Sequence, residues 1–160
     1  MIDYQTRELF DSTFNRLRWI AIAMLGSLFV EAIVVEMMRW FVPFSGFANS
    51  DGGFSRDFLY LLLVAGLADL LFLPILRRRF LAGRPGANPK LLIPRMRVIT
   101  ILSLAISNAP AMLGLVIFLM WNARWAFYAL WVVSLGFMLI YFPRQYFWEE
   151  WVEGGGRMEV

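Results

Sequence analysis

The sequence predicts an all-α membrane protein of four transmembrane helices, arranged as two antiparallel hairpins with both termini in the cytoplasm. Three observations lead there. Of its 160 residues 60% are hydrophobic, and the mean hydropathy is +0.63, outside the composition of water-soluble domains. The apolar residues gather into four runs, 19–42, 58–76, 98–121 and 125–142, each close to the roughly 20 helical residues that a hydrocarbon core about 30 Å thick requires. The cations are sorted between the connections rather than spread along the chain.

Helices are dictated because an unpaired backbone group in lipid costs several kcal/mol. Orientation follows from the cations. Arg77, Arg78, Arg79, Arg84, Lys90, Arg95 and Arg97 crowd the connection between the second and third runs, Arg7, Arg16 and Arg18 precede the first, and Arg144 and Arg157 follow the fourth. The other two connections hold Arg56 and Arg124, with Arg39 at the edge of the first run. The positive-inside rule puts the crowded side in the cytoplasm, and the expected location is the inner (plasma) membrane of a bacterium. A net charge of +3 sorted in this way marks membrane topology, so no nucleic-acid partner is expected. Arg77, Arg78 and Arg79 are expected at anionic lipid headgroups, with recognition of a phosphorylated ligand as the alternative. Cys and His are absent, which excludes disulfides, thiolate and imidazole metal sites and imidazole proton shuttling. No metal or other cofactor is expected. The first run is too long for a signal-peptide core and lacks a small-x-small cleavage pattern behind it, so it is expected to be retained.

The whole of 1–160 reads as one domain. Within 1–17, Leu9, Phe10, Thr13, Phe14 and Leu17 share one side of a helix. This segment reads as an interfacial helix on the cytoplasmic leaflet, or as a solvated extension of the first span. The outer loop 43–57 is rich in Gly, Ser and Phe, and the inner connection carries the turn chemistry of Gly83, Pro85, Gly86, Asn88 and Pro89. Only Asn122, Ala123 and Arg124 join the third and fourth runs, which demands a tight hairpin. The fourth run has Ser134 as its only polar interior residue and is expected to face lipid or to be packed by Trp and Phe. The cytoplasmic tail 143–160 begins with an aromatic belt, Tyr146, Phe147, Trp148 and Trp151.

Polar residues inside the runs are the candidate site. Glu31 lies about 20 Å beyond Arg18, Asp69 about 12 Å before Arg77, and Asn108 about 16 Å into the third run, so all three fall in one layer of the membrane. Ser27 sits one turn below Glu31, and Ser103 and Ser107 accompany Asn108. Ionisable groups at this depth cost about 2.5–3.5 kcal/mol each on insertion scales, so they are expected to meet. Pro110 adds a missing donor to the carbonyl of Ile106 and a kink. Three readings stay open: a hydrogen-bonded seam that sets helix register, a proton or cation site, and a ligand or headgroup site. Close helix packing is expected at Ala65 and Gly66 on the second run and at Ala105, Ala109, Pro110 and Gly114 on the third. Glu36 is expected to pair with Arg39 near the outer interface.

At Asn108-Ala109-Pro110-Ala111-Met112-Leu113-Gly114-Leu115-Val116 the chain resembles the ion-carrying helix of the rotary ATPase proteolipids, the c subunits of F- and V-type ATP synthases. The family's ion-binding Glu falls on Asn108, which cannot take up and release a proton, and the family's Gly-rich first helix is missing from both hairpins. The resemblance covers about ten residues. It implies close-packed ring or oligomer formation by a proteolipid-like protein, with rotor chemistry lost or moved to Glu31 or Asp69. The function expected from the sequence is therefore a non-catalytic, c-subunit-like membrane subunit in a homo-oligomeric ring or larger complex, with membrane lipids and other membrane subunits as partners. The alternative is proton or cation translocation through Glu31 and Asp69. Enzymatic activity is not expected: nucleotide loop, metal cluster and nucleophile elbow are all missing, and Gly66-Leu67-Ala68-Asp69 departs from the element of intramembrane aspartyl proteases.

Overall fold

A computed structural model describes residues 4–41, 46–47, 56–81 and 89–153. The side chains of some helical positions, Asp69, Arg77 and Arg78 among them, lie outside the described residues. The described chain forms α1 (Tyr4–Phe41), α2 (Arg56–Leu81), α3 (Pro89–Trp121), α4 (Arg124–Ile140) and α5 (Gln145–Glu153). Stretches of α1, α2 and α3 (Arg7–Phe41, Asp57–Leu76 and Leu92–Trp121) are long and apolar enough to cross a membrane, and α4 is a shorter apolar helix over Arg124–Ile140. These helices mark an integral membrane protein.

The helix α3 is the hub, packed against each of the other four. Its neighbour contacts set the directions. Val35 of α1 meets Phe118, and Leu17 meets Met96, so α1 runs parallel to α3. Leu59 at the start of α2 meets Ile117 near the end of α3, so α2 runs antiparallel to it. The most extensive contact is between α3 and α4, with α1 and α2 each lying against that pair. Among the described residues α1 and α2, expected as a hairpin, share no extended contact. An exposed stripe of α3, Val98, Ala105, Met112 and Val116, therefore opens between them.

The reversal from α3 to α4 takes two residues. Asn122 adopts a left-handed φ of 53°, which Asn tolerates better than most residues. Its N–H donates to the carbonyl of Phe118 at 2.7 Å, closing α3. Gly46, at φ 90°, lies against this turn: a Cβ there would sit 2.7 Å from the Met120 carbonyl oxygen. Only glycine fits both the dihedral and the space.

The helix α1, 38 residues long, measures about 57 Å, and α3, at 33 residues, measures about 50 Å. Neither fits within a hydrocarbon core about 30 Å thick. Residues 4–18 continue the first span without a break. Their face of Phe10, Phe14 and Leu17 packs on Leu92, Ile93, Met96 and Ile99 of α3 and on Trp148 of α5. A helical extension thus closes on its own apolar core at the end carrying Arg7, Arg16, Arg18, Arg95 and Arg97. In water, each large side chain so buried contributes about 1.5–3 kcal/mol. Within lipid that driving force is missing, and close packing and hydrogen bonds hold the helices.

The helix α4 departs from a mainly lipid-facing reading. Ala126, Phe127, Leu130, Ser134, Phe137 and Met138 are buried. Gly114 explains the closeness, since a Cβ on it would lie 3.2 Å from both the Cα and the carbonyl oxygen of Phe127.

Candidate functional site

The inward face of α1 follows helical spacing: Leu28, Glu31 and Val35 are buried, while Phe29, Val30, Ile33 and Val34 are exposed. That register turns Glu31 toward α3, where Asn108 lies on a buried face with Ser107, Ala111 and Gly114. The two polar side chains meet. Glu31 is 8% exposed and Asn108 9%, and their side chains lie close enough to interact. Glu31 Oε2 and Asn108 Oδ1 are left buried without a partner. The Asn108 amide nitrogen is the donor that faces no such deficit, and it is the group available to the carboxyl. A buried acceptor left unmatched costs about 1–3 kcal/mol, and here two such atoms belong to residues already in contact.

The hydroxyls expected to join them do not. Ser27 donates to the Met24 carbonyl at 2.7 Å and Ser107 to the Ser103 carbonyl at 2.7 Å, each bonding back within its own helix. Asp69 lies in α2, and its side chain is outside the described residues. Of the headgroup arginines, Arg79 is exposed, and Arg77 and Arg78 are outside the described side chains.

Beside the proline in the same layer, α4 supplies an acceptor. Pro110 supplies no N–H, and the next amide, Ala111 N–H, donates to Ser134 Oγ at 2.8 Å. Two further polar contacts from α4 reach α1. Trp131 Nε1–H donates to the Leu28 carbonyl at 2.8 Å, and the Tyr128 hydroxyl donates to Glu36 Oε1. Glu36 also pairs with Arg39 at 3.2 Å, the pair expected from spacing. Residues three apart step about 60° around a helix, so Tyr128, Trp131 and Ser134 sweep from the α1-facing side of α4 to the α3-facing side. Sequence reasoning missed this ladder. Its signal was three hydrogen-bonding side chains at intervals of three in an otherwise apolar run.

The expected small-residue contacts divide. Gly66 is buried and receives the Leu130 side chain, 2.9 Å from where a Cβ would stand. Gly114 and Pro110 are buried and Ala109 is half-buried, whereas Ala65 and Ala105 are exposed. The reason is register. Ala105 precedes Gly114 by nine residues, half a turn out of phase, so it looks away from α4. Ala111 and Ala126, fully buried, line the close contact. Among the described residues no group of three Asp or Glu side chains could hold a metal ion. Comparisons with known protein families, characterised proteins and solved structures found no match.

Proposed function

We propose that this four-span membrane protein binds a cation at the Glu31–Asn108 pair and takes part in moving it across the membrane. One observation carries the reading: a carboxyl and an amide, each more than nine-tenths buried, meet between α1 and α3 with an unpartnered oxygen on each. A seam built only to set register would leave neither oxygen bare. Both termini and the extension formed by α1, α3 and α5 face the cytoplasm, in line with the sorted arginines. Flux through proteoliposomes tests the reading. Glu31→Gln should abolish proton or alkali-cation flux, and flux equal to the native protein's would end the proposal. The cysteine-free chain makes orientation simple to read: a single cysteine at Ala87 should react with an impermeant maleimide only from the cytoplasmic side.

A second reading, a ring-forming or complex-forming subunit, is favoured by the open stripe of α3 between α1 and α2. Native mass spectrometry from nanodiscs decides: oligomers that dissociate on Ala105→Leu support the subunit reading, and a monomer without co-purifying chains ends it.

A further inference from the structure

Deepening the cation-binding reading above, and resting on it, we infer that the occupant of the Glu31–Asn108 site is a proton, held on Glu31 Oε2 and shared with Asn108 Oδ1.

The two bare atoms are both acceptors when the carboxyl is ionised, and neither has another partner. One hydrogen placed between them satisfies both. The Asn108 amide N–H is a donor available to the carboxyl, so an O–H···O bond between the bare oxygens completes a neutral carboxylic acid–amide pair. The step is an uptake of one proton from water by a carboxylate, with no redox change and no leaving group.

A metal cation fits less well. Hard cations gather about six or more oxygen ligands, and the nearest hydroxyls, Ser27 and Ser107, are turned to their own helices. Among the described residues the surroundings bring no countercharge. From α3 the carboxyl meets Asn108, while the Ser107 hydroxyl bonds back to its own helix. From α4 the titratable neighbour is Tyr128, already engaged by Glu36, which also holds Arg39. The helix α2, which carries Asp69, makes no extended contact with α1 among the described residues.

Infrared spectroscopy of the full chain in lipid nanodiscs tests this. A protonated-carboxyl C=O band should be present at neutral pH, shift when the glutamates are carbon-13 labelled, move in Asn108→Leu, and vanish in Glu31→Gln. Labelling in the native sequence assigns the band to a glutamate even if a variant fails to fold. No glutamate acid band at neutral pH overturns the inference, as does a band that disappears when sodium or potassium is added at constant pH. The flux assay is independent. A band without flux leaves the proton site and ends translocation, whereas flux without a band ends the proton site alone.

Discussion

The backbone N–H of Ala111 donates to the Ser134 hydroxyl oxygen at 2.8 Å, tying the hub helix to its neighbour one residue after a proline. Interhelical hydrogen bonds in membranes average about 0.6 kcal/mol and reach about 1.7. Ser134→Ala should therefore cost about that much in reversible unfolding in detergent. If Pro110 turns the next amide toward α4, the loss should shrink in a Pro110→Ala background, where a regular helix can reclaim it. A double-mutant cycle reads the coupling directly, and strict additivity would show that the proline plays no part.

Glycines separate tight from open faces. At Gly114 an added methyl would press on the Phe127 backbone, whereas at Gly136 nothing lies within 4 Å. Gly114→Ala should destabilise by about 1–3 kcal/mol, the usual cost of overpacking. Gly136→Ala should be neutral, or stabilising by up to about 1 kcal/mol through helix propensity. Equal effects at the two positions would contradict the close α3–α4 approach.

Trp131 reaches α1 through its indole N–H. Trp131→Phe keeps an aromatic ring but removes the donor, and should cost about 0.5–1.5 kcal/mol. Heat unfolding of the purified protein measures this. An unchanged midpoint would mean the contact adds nothing.

Trp148 is 2% exposed, at the centre of the cluster joining α1, α3 and α5. Trp148→Ala should cost about 3–5 kcal/mol locally. Limited proteolysis should then cut within residues 4–18, while helical circular dichroism from the spans persists. Unchanged protease resistance would show that α5 does not hold the extension.

Much of the architecture was legible along the chain. The apolar helices, a tight reversal after the third run, read as Asn122 to Arg124 and one residue shorter in the structure, and the Glu36–Arg39 pair follow from run length, turn chemistry and helical spacing, all local properties. The site was legible in part. Glu31 and Asn108 stood out because polar groups are costly in lipid, but a one-dimensional depth says nothing about azimuth. Ser27 and Ser107 share the layer and still bond within their own helices. Tyr128 and Trp131 went unnoticed because each is apolar enough to pass as packing.

The sequence by itself determined that the chain lives in a membrane, how many apolar helices it has, and which end gathers the positive charge, because hydropathy and charge act on each segment separately. Tertiary structure decided the rest: that α3 is the hub, that α1 and α2 share no extended contact among the described residues, and that Glu31 faces Asn108. Those outcomes depend on helix rotation and neighbour choice, which are set by where Gly114, Ala111 and Ala126 let backbones close in. No single segment carries that information.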